Sequence, residues 1–467
     1  MQIPLINGIY TDENADIRTS YPHNMIPVPK TNGISEGYMR PADGVVALGD
    51  VGQGLCRGGI NWNDICYRVS GTKLISIDAV GAVVIIGDVG GTGEVTFNYS
   101  FDYLGITSNN NLFLYDGTTL TQVTDVDLGT VLDHIWVDGY FMTTDGEFIV
   151  VTEVNDPFSV VTTKYASSEV DPDPIKALIK LNNEPYALNR YTIEVFTNVG
   201  GTGFPFQVVD GGQLQKGTVG THSCCVFLDS LAFIGGGKNE QIAIWLSSGG
   251  AAAKISVREV DQILEGYSEE TLSNVLIESK IGLSHQHLYI HLPDQTLVYD
   301  AAASQVVGDN VWFTLGSSLK KPAQYRAKNF VRCYDRWLVG DPASTNLGYL
   351  TNTLASHWGS PVRWDFGTTI IYNESRGAIV HELELIALPG RAILGDDSTI
   401  WTSYSLDGET WSQKRPISAG KQGQRNKRLV WLSQGAMENW RIQYFRGTSD
   451  AMLSLIRLEA RLEPLEV

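Results

Sequence analysis

The sequence predicts an all-β protein: an irregular β-propeller of about seven blades with an extended N-terminal arm and a C-terminal β-sandwich-like domain. Three observations carry the prediction. Helical periodicity is scarce along the 467 residues, and short runs alternate apolar and polar side chains, as strands with one buried face do. Gly, Asn and Asp divide these runs into strand–turn–strand units that recur at roughly 40–50 residues, the spacing of propeller blades. After Asn352 the strands lengthen and the texture changes, which marks a second domain.

Residues 1–55 contain YPHNMIPVPKTNGISEGYMRPADG, proline-rich and without strong alternation. Proline cannot donate into a strand ladder, so this stretch is expected to run as an arm packed on the C-terminal domain or on a partner. Residues 56–352 are assigned to the propeller. Ile65–Ile77 turns at Ser70-Gly71, Leu104–Val123 at Asn109-Asn110 and Asp116-Gly117, and His134–Val151 at Asp138-Gly139 and Asp145-Gly146. Ala177–Val195 turns at Asn182-Asn183 and near Asn189-Arg190, and Val226–Leu246 at Asp229-Ser230 and through Gly235-Gly236-Gly237. Ile281–Phe313 turns near His285 and Pro293-Asp294, and Phe330–Leu350 at Asp335-Arg336 and Asp341-Pro342. Such turns between alternating runs are the strongest local hairpin signal. Closing small sheets into a ring leaves only short, protected edges. The exception to the β pattern is Val257–Ile277, where Val260, Ile263 and Leu264 follow helical spacing and Ser268 suits the N-cap of a second short helix. Residues 353–467 hold ELELIAL, RLVWLS, NWRIQYFRG and MLSLIRLEARL, the longer strands of a sandwich.

With 34 Lys and Arg against 52 Asp and Glu, the net charge is −18. Such a surface repels nucleic acid and anionic membranes at long range, though a wall that guides DNA without gripping it needs no phosphate-neutralising patch. The five cysteines are odd in number and show no CxxC spacing, so neither a disulfide framework nor a cysteine zinc site is expected. No basic-then-apolar leader opens the sequence, and the longest apolar stretch, near Ala79–Ile86, falls far short of the ~20 residues of a membrane helix.

No catalytic, cofactor or metal site is predicted. His285, His287 and His291 share a strand face, but His285 falls in a turn, and His287 to His291 spans about 13 Å, too far for one ion. Asp125-Val126-Asp127-Leu128-Gly129 departs from a calcium loop in its glycine position and in lacking the closing Glu. The two VGGTG stretches, Val89–Gly93 and Val199–Gly203, run on into strands and not into a phosphate-binding helix. Ser405–Trp411 resembles a sialidase Asp-box, itself a structural turn. HExxH and P-loop motifs are absent. Lys414, Arg415, Lys421, Arg425, Lys427 and Arg428 form the one basic concentration, in a Gly/Gln-rich loop; in so acidic a chain it suits a protein partner better than DNA.

Islands along the chain resemble one family. They are Asn14-Ala15-Asp16, Tyr21-Pro22-His23-Asn24-Met25, Pro29-Lys30, Gly37-Tyr38-Met39-Arg40 and Gly44, then Tyr67-Arg68-Val69, Gly71-Thr72-Lys73-Leu74, Gly87-Asp88-Val89 and Gly91-Thr92-Gly93. Further islands are His291-Leu292-Pro293, Leu297-Val298-Tyr299-Asp300-Ala301, Ser304-Gln305, Asp407-Gly408, Lys427-Arg428-Leu429-Val430-Trp431 and Ile456-Arg457-Leu458-Glu459. Together they resemble the tail-hub proteins of Salmonella-type short-tailed phages (podoviruses), also called packaged DNA stabilisation proteins or tail accessory factors. The likeness is thin over Asp125–Thr218. It implies a structural virion protein of the tail, assembled in the host cytoplasm, without catalytic residues, cofactor or membrane insertion. It also implies a ring of roughly six copies, a hexamer, below the portal and its adaptor ring. That ring closes the DNA channel, retains packaged double-stranded DNA without reading its sequence, and docks the tail needle and tailspikes. The arm Ile6–Gly44 and the C-terminal domain are then expected to make the inter-subunit and adaptor contacts. The alternatives are a sialidase-like propeller glycosidase, which needs Arg and acidic groups clustered at the central mouth, and a peptide-binding propeller scaffold, which needs regular blade repeats.

Overall fold

The computed structural model describes residues 2–3, 21–30, 36–168, 171–248, 250–282, 284–372, 376–392, 397–450 and 452–465. Asn14-Ala15-Asp16 lies outside the described residues. Among those described, seven small antiparallel sheets lie between Gly44 and Thr351. The first runs from Cys56–Trp62 to Val83–Asp88, the second from Thr96–Tyr99 to Leu120–Gln122, and the third from Asp133–Val137 to Asp156–Ser167. The fourth spans Ile175–Leu181 to Phe206–Val208, the fifth Gly217–Thr218 to Ala251–Lys254, and the sixth Leu276–Ile281 to Trp312–Leu315. The seventh is Lys328–Cys333, Arg336–Gly340 and Asn346–Thr351. Its outermost strand is Gly44–Asp50, with Tyr349 opposite Val46 and Thr351 opposite Gly44.

The inner strands meet in a cycle. Cys56–Trp62 touches Thr96–Tyr99, followed in turn by Asp133–Val137, Ile175–Leu181, Cys224–Phe227, Leu276–Ile281 and Lys328–Cys333, which returns to Cys56–Trp62. This is a closed propeller, latched by a strand from the N-terminal side of the chain. Local chemistry explains the hairpins. Two-residue turns that match strand twist need positive φ at both central residues, where Asn and Asp are tolerated. Asn63-Asp64, Asn109-Asn110 and Asn182-Asn183 all sit there.

The short helices Arg258–Glu265 and Glu269–Ser273 lie between the fifth and sixth sheets, and Ser268 Oγ caps the second by accepting from Thr271 N at 3.2 Å. A third helix, Ala301–Val307, interrupts the sixth sheet where the sequence suggested only hairpin. Asp300 caps its start, three alanines suit its first turn, and Gly308 at φ 81° ends it.

The C-terminal region is a sandwich of two sheets. One pairs Arg363–Gly367, Trp440–Thr448, Thr399–Ser405 and Arg415–Ser418. The other orders Met25–Pro29, Gly37–Pro41, Ser454–Pro464, Ala378–Leu388 and Leu429–Leu432. The proline-rich stretch is therefore a hairpin built into this sheet and not a bare arm. Met25–Pro29 takes the edge, where prolines leave no ladder bond unmade. Met25 and Met39 enter the core with Trp364, Phe366, Leu383 and Phe445.

Candidate functional site

The residues 22–24 form the seam between the two bodies. His23 N donates to Asp365 O at 2.8 Å and Asp365 N returns a bond to His23 O at 3.1 Å. On the other side Asn24 N donates to Thr314 O and Thr314 N to Pro22 O, at 2.8 and 2.9 Å. A single residue pair thus bridges the last strand of the sixth blade and the first strand of the sandwich. Asn24 adopts φ 53°, and its amide Nδ2 donates to Gly316 O at 2.8 Å and Arg363 O at 2.6 Å while Oδ1 accepts from Gly316 N at 3.1 Å. Beneath it, buried Asp365 meets Lys321 at 3.0 Å and Arg363 at 2.7 Å, and these cations hold its carboxyl below the usual range despite burial. His23 Nδ1 meets Thr314 Oγ1 at 2.9 Å, and burial pulls its pKa down to about 3.

A second tie lies at the hairpin's end. Asp43 pairs with Arg40 at 2.9 Å and with Lys280 of the sixth blade at 2.5 Å. Between hairpin, blade and sandwich opens a cleft of about 990 Å³, walled by Lys30, Tyr38, Arg40, His285, Arg391 and Met452. Gly37 begins the hairpin's second strand, and Lys30 lies 5.2 Å from the Tyr38 ring centroid.

The sixth blade gathers several motif residues. Asp300 is fully buried; its Oδ2 lies 2.6 Å from His285 Nδ1 and 3.3 Å from His287 Nε2. His291 turns to a different partner, Glu278, at 2.9 Å. Tyr299 packs on Trp312 and Phe227, while Pro293 is exposed in its turn. Tyr67, Arg68 and Gly71 stand apart in the first blade. Tyr67 joins an aromatic cluster with Trp62 and Tyr115, both centroids 5.7 Å away. Arg68 is buried and donates to Cys56 Sγ at 3.2 Å and Asn329 O at 2.9 Å. Gly71 has φ 56°, and a Cβ there would meet Gln53 O at 2.0 Å. Arg68, His291 and Asp300 thus turn polar atoms to internal partners.

The basic loop joins the sandwich's two sheets, and the structure splits its residues. Arg415 donates to Leu432 O at 3.0 Å, Lys427 to Ser418 Oγ at 2.6 Å, and Arg428 pairs with Glu384 at 2.6 Å and Glu382 at 3.0 Å. Lys414, Lys421 and Arg425 are exposed. The Asp-box-like segment is a turn, with Asp407 Oδ1 accepting from Glu409 N at 3.0 Å and Thr410 N at 2.8 Å. Asp125 likewise accepts from Asp127 N and Val160 N. Inner strands enclose a cavity of about 470 Å³ lined by Asp133, His134, Lys180, His222 and Cys225. Burial raises Asp133 to about 7. The seam partners Asp365, Lys321 and Lys280 carried no sequence signal, since each lies hundreds of residues from the hairpin it holds.

A closed propeller tied to a sandwich through the seam at residues 22–24 and the Asp43–Lys280 pair defines a two-body β protein. Residues 1–355 match the family described as bacteriophage P22 Gp10, beta-propeller, and residues 363–463 the one described as bacteriophage P22 Gp10, beta-sandwich. The chain belongs to the bacteriophage P22 Gp10 family. A curated relative, the tail hub protein gp10 of Salmonella phage P22, is 26% identical over 483 aligned residues, covering 99% of each chain. Among solved structures, the Pan2 WD40 domain of Neurospora crassa aligns at TM-score 0.42 and 10% identity, over 66% of this chain and 93% of that one. The N-terminal domain of Nup159 aligns at TM-score 0.41 and 7% identity, over 71% and 99%.

Proposed function

We propose that this chain is the tail-hub subunit of a short-tailed phage, a structural protein of the virion tail. The observation that carries the reading is the end-to-end likeness to the P22 tail hub protein, propeller and sandwich in the same order. Its role is structural. A glycosidase finds no support, since the whole chain aligns with the P22 tail hub protein.

In the finer reading, roughly six copies close a ring under the portal and adaptor, retain packaged DNA, and dock needle and tailspikes. In this reading DNA passes through the space enclosed by the ring of subunits. For the domain division we favour residues 56–352 as propeller, completed by Gly44–Asp50, and 353–467 as sandwich, completed by the N-terminal hairpin. The exposed Lys414, Lys421 and Arg425 suit an acidic protein surface.

Native mass spectrometry of the full chain, alone and with its portal–adaptor complex, tests this. The expected result is monomer alone and about six copies on the complex. Lys421→Glu with Arg425→Glu should reduce capture several-fold without changing the melting temperature, since neither side chain is buried. A chain that ignores the complex would refute the hub reading; full capture by the double variant would refute only the loop's part in it.

A further inference from the structure

We propose that His285, His287 and Asp300 form a binding site for a divalent transition metal, zinc being the ion best suited to the donor set. His287 and Asp300 are opposed residues on adjacent strands of the sixth blade, and His285 precedes the first of those strands by one residue. Residues two apart on an extended chain share a face, and the two imidazoles stack with centroids 5.1 Å apart. One donor atom from each residue lies within 4.8 Å of the others. Two imidazoles and a carboxylate are the protein ligands of many open zinc sites, with a fourth position left for water or a further donor.

The surroundings hold the donors in place. Asp300 Oδ1 is engaged by Ala303 N at 3.2 Å and Gln286 N at 3.3 Å, which leaves Oδ2 facing the imidazoles. Tyr289 Oη lies 3.4 Å from His287 Nδ1, so the nitrogen opposite the metal side has its own partner. Such outer bonds fix the tautomer and orientation of a ligating histidine. The neighbouring positive charge is already matched: Lys280, opposite His287 across the strand pair, is held by Asp43 at 2.5 Å.

Metal entry asks His285 to move. His285 Nδ1, now 2.6 Å from Asp300 Oδ2, must withdraw to about 3.3 Å, the edge of a tetrahedron with zinc bonds near 2.0–2.1 Å. His285 sits in the turn before the strand, and its side chain is 15% exposed. It also lines the cleft between hairpin, blade and sandwich, so the ion and its fourth ligand approach from there. The sequence weighed His291 as third ligand because of its spacing; the third donor is instead Asp300, supplied by the opposing strand. A bound ion would pin the turn to the blade and stiffen one wall of the cleft.

The experiment uses the untagged full chain, stripped with chelator, dialysed against zinc chloride and assayed for retained metal. A competing chromophoric chelator gives affinity, and cobalt(II) substitution gives a visible spectrum. The expected result is one zinc per chain, tetrahedral cobalt bands, and a zinc-dependent rise in melting temperature. His285→Ala should weaken zinc binding at least about tenfold and abolish the cobalt bands; its metal-free melt should fall somewhat, because buried Asp300 loses a partner, and the zinc-dependent rise in melting temperature should vanish. His381→Ala, at an exposed His–Glu pair on the sandwich, should change neither zinc binding nor the cobalt bands. No zinc retained, or retention unaltered in His285→Ala, would overturn the proposal.

Discussion

Asn24 shows how much one side chain can hold. Its backbone occupies the left-handed region that Asn tolerates better than most residues, and its amide makes three bonds that tie blade to sandwich. Asn24→Gly keeps the backbone accessible and deletes only those bonds, leaving buried backbone groups of Gly316 and Arg363 unpaired. The expected loss is about 2–4 kcal/mol, read as a shift in urea midpoint. Asn24→Ala should lose about 1 kcal/mol more from backbone strain. A neutral Asn24→Gly variant would mean that water replaces the amide at the seam. The sequence marked Asn24 through its motif but was silent on its partners, 292 and 339 residues away. Asp300 escaped notice as a partner of His285 for the same reason: pattern along one strand does not show what the opposing strand places there.

Elements were legible where their cause is local. The hairpins follow from Asn and Asp turns, and the long C-terminal strands from their alternation. The N-terminal hairpin was hidden by prolines, whose compatibility with an edge depends on a sheet completed by Ser454–Pro464, more than 400 residues later in sequence. The closing strand Gly44–Asp50 was hidden too, because its pairing partner is Asn346–Thr351. The crossing has a consequence. The strands Gly37–Pro41 and Gly44–Asp50 pair with sandwich and propeller respectively, so covalent continuity at the exposed Gly52 should be dispensable for holding them. A protease site inserted after Gly52 and cut in the folded protein should leave both fragments co-eluting in size exclusion. The nicked protein should melt lower, because the cut restores loop entropy to the unfolded chain. Release of the N-terminal fragment in plain buffer would show that the two sheets do not grip it independently.

At the scale of the whole molecule, two bodies were legible from the change in texture at Asn352; their exchange of strands was not, since it depends on pairings no local pattern encodes. What the exchange buries is polar as well as apolar, and this sets the response to acid. His23 and His134 are buried with pKa values near 3, and His357 with one near 4, each lowered first by loss of hydration. Unfolded, all three would titrate near 6.5. Between about pH 4 and 6.5 the unfolded chain therefore binds three protons that the folded chain refuses, and stability falls as pH drops through that window. Buried Asp133 opposes them: raised to about 7 by burial, it is protonated when folded and ionised when unfolded across most of the same range. Glu94, raised to about 7, and His222, lowered to about 4, face the propeller's inner cavities and act with opposite signs. Buried His287 and His291 are lowered in the same direction, so the histidines outweigh the two raised carboxyls and stability should fall by at least about 2 kcal/mol from pH 6 to pH 5. Urea midpoints at the two pH values measure this directly. His23→Gln, which removes one titrating group at the seam, should make the slope shallower by up to about 1 kcal/mol per pH unit. A slope unchanged in that variant would mean that His23 takes up its proton in place, with Asp365 beside it to receive the charge.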